Sequence, residues 1–493
     1  MAKKKKPFIK KIKTKKNYYI YDVSTNNILR VDKIVWELID FVHEFSRDEI
    51  LNRWKGKYEI NNIKKALNNI YIYIEKENLF STHLPREIKF SFSEDEIIRM
   101  LNTSLKQLTL ETTQQCNLRC FYCVYSGKFP LERSHTSKFM DLKIAKHAID
   151  YYLAHSQEND RPTITFYGGE PLLNFPLIEE CVKYAQKNSK KKIYFGITTN
   201  GTLLNEKMIK FLIDNDIGLT ISLDGPKEIH DRYRRTIFGN GTFDLILSNI
   251  EKIRNISSEY FSSHGGFNSV ISPPFNLKKL KKFFDSLAES YPHSYLKISF
   301  VKREESVLFK HKFKSNDLHN QLQKLKLAFK SNLIKEEPNK SPFLRALFES
   351  DILKIYKRGI FDTLRDFYPP NGICIPGLRK LFVNVYGNFY ICERLDNFHA
   401  IGNISKGLDY EKILNLINNY SSLCKEVCLD CWLIRLCDLC FVSVISGKKF
   451  SMEKKRKKCE YQKKRFENTI KFCLELLEEN PEALDYLKNS III

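Results

Sequence analysis

The sequence has no long apolar run. No stretch approaches the roughly 20 residues that a helical membrane span needs, and the lysine-rich start is not followed by the apolar segment of a secretory signal. A membrane partner and an export route are therefore set aside, and a cytoplasmic location is expected. Acid is missing from the first sixteen residues, MAKKKKPFIKKIKTKK, which hold nine lysines. Such a run is expected to be a basic, flexible arm over residues 1–16. The first cysteine group, QQCNLRCFYC, lacks a fourth thiol: it has Cys116, Cys120 and Cys123 only. That omission argues against the even sets of zinc ribbons and disulfides and for a metal centre with one position left open.

The chain does have length, charge and sulfur. Its 493 residues suffice for a large catalytic domain with smaller ones attached. With 43% hydrophobic and 28% charged residues it reads as a globular protein. The 13 cysteines fall mostly into tight groups, and in a reducing compartment such groups indicate metal rather than disulfides. The net charge of +23 is the usual footprint of nucleic-acid binding. Much of it lies in the arm, however, and an acidic peptide segment would suit the same charge.

Residues 17–85 read as a β-hairpin, NYYIYDV and NNILRVD, followed by three amphipathic helical segments with Asp32 and Ser46 as N-caps. This is a winged-helix-like unit, either a DNA-binding wing or a domain that accepts a peptide strand on its sheet edge. Residues 103–305 alternate strand-like runs (SLKQLTLETT, TITFYGG, KIYFGITTN, IGLTISLDG, FNSVISP, YLKISFV) with helical patterns. Six β/α repeats imply an α/β fold with a parallel sheet, open or partly closed into a barrel. Its distinctive loops would gather at the C-terminal face, where such folds bind ligands. Residues 306–370 form a helical bridging region, 371–462 hold most of the remaining cysteines, and 463–493 are expected to be a C-terminal helix.

Three thiolates can hold three irons of a [4Fe–4S] cube and leave the fourth iron to a small chelating ligand. Zinc is the alternative, but a three-Cys zinc site usually adds a His, and the first one downstream is His135.

With Tyr122 before its last Cys, this CxxxCxxC loop resembles that of the radical S-adenosylmethionine (radical SAM) family, which follows the first strand of a partial (β/α)6 barrel. Further features stand in the family's order. YGGEP at Tyr167–Pro171 ends the second strand, TTNG at Thr198–Gly201 the third, and SLDG at Ser222–Gly225 the fourth; HDRYR at His230–Arg234 follows. The resemblance implies that Cys116, Cys120 and Cys123 bind the catalytic [4Fe–4S] cluster. It also implies that Tyr122, Gly168, Gly169, Glu170, Pro171, Thr199, Asn200, Ser222, Asp224 and Arg234 surround S-adenosylmethionine (SAM). The reaction implied is reductive cleavage of SAM to a 5′-deoxyadenosyl radical, which removes hydrogen from an unactivated C–H bond.

CIPGLRKLFVNVYGNFYIC and CLDCWLIRLCDLC, with Cys459 beyond, resemble the SPASM extension and its two auxiliary [4Fe–4S] clusters. By that resemblance Cys374, Cys392 and Cys440 hold cluster I, and Cys428, Cys431, Cys437 and Cys459 hold cluster II. The spacing before Cys440 is one residue short of the usual pattern, and Cys424 is extra: it could substitute in, or complete, a site. An open iron on cluster I could take a substrate thiolate. Cys181 and Cys473 read as packing residues. Glu393, beside Cys392, reads either as a proton acceptor or as a surface salt-bridge residue.

The SPASM resemblance implies a peptide or protein substrate, and the N-terminal unit then resembles the precursor-peptide recognition element of ribosomal peptide maturases. The local strings resemble maturases of Cys-rich peptides, the sactipeptide and ranthipeptide type. The function implied is an oxidoreductase-type enzyme that forms thioether crosslinks. Its leader peptide would be bound by the N-terminal domain and its core peptide in the barrel, with flavodoxin or ferredoxin as electron donor. Alternatives from the same machinery are carbon–carbon crosslinking, epimerisation and formylglycine formation. More distant ones are an RNA-modifying radical enzyme and a non-catalytic zinc protein that binds nucleic acid.

Overall fold

The structure, a computed structural model, describes residues 6–127, 129, 134–301, 315–360, 364–370, 372, 374–393, 395 and 399–490. Residues 1–5 of the basic arm lie outside the described residues, and the rest of it is built into the fold. Its residues Ile9–Lys13 form strand β1, paired antiparallel with β2 (Tyr18–Asp22), which pairs in turn with β3 (Asn27–Val31). The reason lies in the other side chains of the arm. Phe8 and Ile12 are buried, and the lysines between them find partners: Lys10 pairs with Glu467, while Lys11 pairs with Asp40 and lies over the Trp36 ring.

Helices α1 (Lys33–Leu38), α2 (Arg47–Trp54) and α3 (Ile60–Glu77) pack on this sheet around Ile20, Leu38, Ile50, Ile63 and Leu67. Ser46 caps α2 in a reciprocal capping box with Glu49; Asp32 precedes α1 without a side-chain cap bond. The hairpin turn leans on the C-terminal cysteine segment, where Tyr21 meets the Trp432 ring edge-on and Arg435 Nη1 donates to Ser24 O at 2.7 Å.

The short strand β4 (Glu87–Ile88) and helix α4 (Glu94–Thr103) lead into the central sheet. Its strands β5 (Gln107–Thr113), β6 (Thr163–Gly168), β7 (Tyr194–Thr199), β8 (Gly218–Ser222), β9 (Gly265–Ile271) and β10 (Tyr295–Phe300) are parallel and lie side by side in chain order. Helices α5 (Leu142–Ala154), α6 (Phe175–Asn188), α7 (Glu206–Asp214), α8 (Lys227–Tyr233), α9 (Phe243–Ile256), α10 (Ser258–His264) and α11 (Leu277–Ser290) connect them. This is the α/β architecture that the six repeats predict. Ile164, Phe166, Ile197, Leu219 and Ile221 supply its buried strand residues.

The sheet does not stop at β5. After α12 (Ser315–Ile334), α13 (Pro342–Tyr356) and β11 (Phe367–Tyr368), strand β12 (Leu381–Val383) pairs parallel with β5. β13 (Asn388–Tyr390), β14 (Gly402–Asn403) and β15 (Gly407–Leu408) extend it antiparallel to ten strands. Helix α14 (Tyr410–Cys428), the small hairpin β16 (Ile445–Ser446) and β17 (Lys449–Phe450), and helix α15 (Met452–Leu477) complete the chain. The final helix thus starts earlier than residue 463, and Cys459 lies within it.

Candidate active site

Strand β5 delivers the Cys116–Cys123 loop to the C-terminal edge of the sheet, and the neighbouring strands clamp its start. Gly169 N donates to Thr113 O and Glu170 N to Gln115 O, each at 2.8 Å. Glycine is required for this approach. A Cβ on Gly168, whose φ is +146°, would lie 2.2 Å from Thr113 O, and one on Gly169 would lie 2.2 Å from Gln115 O. The glycines of YGGEP therefore make room for the cysteine loop itself.

Glu170 is buried and joins two motifs. It accepts from Asn200 N at 2.7 Å, from the Thr199 hydroxyl at 2.6 Å and from Leu172 N at 3.1 Å. Burial pushes its carboxyl up to about 7. Asn200 in turn donates to Asn117 Oδ1 at 2.8 Å and points its amide at Cys116 Sγ, 4.0 Å away. Asn117 donates to Thr202.

On the other flank, the loop runs alongside the end of HDRYR and the residue that follows it. Arg119 N donates to Arg235 O, Phe121 N donates to Tyr233 O, and Phe121 stacks on the Tyr233 ring. Beneath them lies a buried charge network. Asp224 accepts from the Tyr122 hydroxyl, from Arg234 Nε at 3.0 Å and from Val270 N at 3.0 Å. His230 is wholly buried; its Nδ1 accepts from Asp224 N and its Nε2 meets the Thr242 hydroxyl. Burial lowers its pKa to about 4, so the ring is neutral and structural. Ser222 stands in register with Asn268, which stands in register with Lys297, lining the same end of the sheet.

The structure thus brings together Cys116, Cys120, Cys123, Tyr122, Gly168, Gly169, Glu170, Thr199, Asn200, Asp224 and Arg234. Pro171 begins the short turn after Glu170. The sequence reading missed Asn117, Thr202 and Tyr125, although Asn117 follows the first Cys directly. It also set His135 aside as distant. His135 Nε2 is 3.7 Å from Cys123 Sγ, and its Nδ1 meets Gln114 O at 3.1 Å.

Burial pushes the Cys116 and Cys120 thiols up to about 12 and raises that of Cys123. As free thiols they stay protonated; as cluster ligands they would be deprotonated by the iron. Among the described residues no three His, Cys, Asp or Glu side chains converge as a single metal ion requires. A [4Fe–4S] cluster sets a different test, since each thiolate holds its own iron. Three partly exposed thiols on one loop, backed by amides at Leu118 N and Asn200, fit that donor set.

The C-terminal cysteines form two neighbourhoods. Cys374 lies within electrostatic reach of Cys440, and Gly372 packs against the Leu439 carbonyl, where a Cβ would come within 1.7 Å. Cys392 follows β13. The next residue, Glu393, accepts on its carbonyl from the Tyr125 hydroxyl at 2.9 Å and pairs its carboxylate with Lys380 at 3.0 Å. The carboxylate weighed as a proton acceptor is therefore in an ion pair. Asp438, in the shortened spacing before Cys440, is gripped by Lys354 and Arg465.

The second neighbourhood gathers Cys424, Cys428, Cys431, Cys437 and Cys459. Cys424 sits among Cys428, Tyr420 and Lys455, so the structure sets it with the second group and not beside Cys374 and Cys440. A hydrogen bond from Cys428, aided by the Lys455 ammonium, holds the Cys424 thiol down to about 6; Cys428, as donor, is raised. Cys181 and Cys473 are buried packing residues.

The family described as "Radical SAM superfamily" matches residues 110–287. The uncharacterized protein MJ0907 of Methanocaldococcus jannaschii is 31% identical over 306 residues, covering 61% of this chain and 89% of that one. The cysteine-type anaerobic sulfatase-maturating enzyme of Clostridium novyi is 33% identical over 160 residues. That match covers 32% of this chain and 42% of the enzyme, less than half its length. The solved structure "Native anSMEcpe with bound AdoMet" shares the fold with a TM-score of 0.57 at 21% identity, covering 78% of this chain and 99% of that one. The matched family uses SAM and a [4Fe–4S] cluster. With the cysteine loop, its glycine clamp and the motifs at three further strand ends all inside the matched region, this chain belongs to the radical SAM superfamily.

Proposed function

We infer that this enzyme matures a ribosomally made, Cys-containing precursor peptide by closing thioether bonds between a Cys sulfur and a peptide carbon. One observation carries the reading: the cysteine loop and the Cys392 segment are joined by a direct contact. β12 lies against β5, and the Tyr125 hydroxyl, just past Cys123, reaches the backbone next to Cys392.

When the cluster and SAM are bound, they supply abstraction of a hydrogen atom from an unactivated C–H bond. The chain does the rest. Cys116, Cys120 and Cys123 hold the cluster, and the Glu170–Asn200–Asn117 bonds and the Tyr122–Asp224–Arg234 network fix the loop that carries them. Cys374, Cys392 and Cys440 would hold one auxiliary cluster with only three thiols, leaving a place for a substrate thiolate. Cys428, Cys431, Cys437 and Cys459 would hold the other. For each bridge the peptide exchanges one C–H and one S–H bond for one C–S bond, losing a hydrogen atom, a proton and an electron. Auxiliary clusters held by the C-terminal thiols would supply a path for that electron, with flavodoxin or ferredoxin as the external donor.

The N-terminal sheet supplies the docking site. Among the described residues β3 pairs with β2 alone, so its other edge suits an added leader strand. The hairpin turn touches Trp432 and Arg435, between Cys431 and Cys437. A leader bound there would raise the concentration of its core peptide near the cysteines.

A second reading is formylglycine formation. It is favoured by the similarity to the cysteine-type sulfatase-maturating enzyme, while the pairing of Glu393 with Lys380 removes the most obvious free base.

Anaerobic co-expression with the Cys-containing peptide encoded beside the gene, followed by intact-mass and fragmentation spectrometry, separates the readings. Loss of two hydrogens per bridge, with one thiol consumed each time, is expected. An aldehyde in place of a Cys would support the second reading. Hydrogen loss with every thiol still free would overturn both.

A further inference from the structure

The second C-terminal neighbourhood holds one sulfur more than a [4Fe–4S] cluster takes. Five thiols gather there, and one differs from the rest. Cys424 is fully buried, whereas Cys428, Cys431, Cys437 and Cys459 are partly exposed. Cys424 Sγ accepts a hydrogen bond from Lys455 Nζ at 3.1 Å, and the same ammonium donates to the Tyr420 hydroxyl at 3.0 Å.

Helical spacing explains the meeting. Cys424 stands one turn before Cys428 on α14, and Lys455 one turn before Cys459 on α15, so each pair shares a face. Lys463, one turn beyond Cys459, acts on Cys431 and Cys459 from the other side and also pairs with Glu460.

Lys455 is 2% exposed. A buried ammonium is costly unless an anion faces it. The groups acting on it most strongly are Tyr420, Cys424 and Cys428, with Cys437 and Cys459 also in reach; none is a carboxylate. Cys424 supplies part of that negative charge, and a four-thiolate iron–sulfur cluster, which is anionic, would add to it.

We propose that Lys455 is the buried counter-cation of an auxiliary cluster on Cys428, Cys431, Cys437 and Cys459, and that Cys424 positions Lys455 without binding iron. The proposal rests on this segment carrying a cluster; it does not depend on thioether chemistry. Reduction adds an electron to an anionic centre. A cation held close in a poorly polarisable interior stabilises the reduced form and raises the potential.

The test uses the full chain, reconstituted anaerobically, with iron counting and a redox titration followed by electron paramagnetic resonance. Lys455→Met is expected to shift one cluster's reduction equilibrium toward the oxidised form by about tenfold or more, about 59 mV for a one-electron couple. Lys455→Arg should restore it. Cys424→Ala should keep the iron of the unaltered protein, and Cys428→Ala should lose one cluster. An unchanged potential in a cluster-bearing Lys455→Met protein would overturn the role of Lys455. Iron lost in Cys424→Ala but kept in Cys428→Ala would overturn the ligand set, even if Lys455→Met fails to fold. Iron for a single cluster in the unaltered protein would instead sink the underlying reading that this segment carries clusters.

Discussion

Cys116, Cys120 and Cys123 arrive on one short loop, whereas the C-terminal thiols arrive from separate places: the stretch before β12, the end of β13, the end of α14, the turns that follow it, and α15. The two regions are held differently. The barrel loop is gripped by backbone bonds and by buried polar groups from β6, β7 and β8, and glycine allows the contact. The C-terminal thiols are held by helix packing and by charges placed beside them, with Lys455 and Lys463 flanking Cys459 and with Lys354 and Arg465 on Asp438. A local motif can be rigid without its cofactor. A dispersed site depends on the whole domain.

Changes that break this contrast should do so in a definite order. Cys116→Ala removes one of the three thiols proposed to hold the cluster, for which the cysteine loop has no spare, so SAM cleavage and peptide modification should both fall to background, measured as 5′-deoxyadenosine and peptide mass. Asp224→Asn leaves Arg234, with its side chain 9% exposed, without its counter-ion. Breaking a buried pair in this way costs about 3–5 kcal/mol, and chemical denaturation should report a loss of that size. SAM affinity should fall as the loop loosens.

Glu170 gives a pH signature. Its pKa is raised from 4.5 to about 7 in the folded protein, so the folded state binds the proton more tightly than the unfolded one. Its contribution is full below pH 4.5 and is lost as pH rises toward 7, a fall of about 3 kcal/mol. Glu170→Gln should flatten the stability profile of the metal-free protein across that window. Gly169→Ala forces a Cβ against the Gln115 carbonyl. Overpacking of this kind costs about 1–3 kcal/mol, and iron retention in the barrel loop should drop with it.

How much of this was legible in the sequence follows the same contrast. The six strands and the loops at their ends could be read because apolar runs alternate with amphipathic helices and each motif sits at a strand end. The hydrogen-bond partners could not be read. Nothing local tells that Glu170 bonds to Asn200, or that Tyr233 and Arg235, at the end of HDRYR and just past it, splint the cysteine loop. The basic arm was misread because counting lysines concealed Phe8 and Ile12, whose burial makes Ile9–Lys13 a strand. His135 was passed over because distance along the chain stood in for distance in space. Lys455 was within reach of the sequence: a helical pattern carrying Lys455, Cys459 and Lys463 at intervals of four puts two cations and a thiol on one face. The merging of β12 with β5, which joins the C-terminal segment to the strand that carries the cysteine loop, is a tertiary pairing that no local pattern announces.

The account's central claim is that the barrel thiols begin the reaction and the C-terminal thiols complete it on the peptide. The direct measurement compares Cys392→Ala with the unaltered enzyme, with peptide and reductant present, following 5′-deoxyadenosine and peptide mass in the same sample. The account predicts that 5′-deoxyadenosine still forms while the loss of two hydrogens per bridge disappears. Crosslinked peptide at the unaltered level from Cys392→Ala would contradict it.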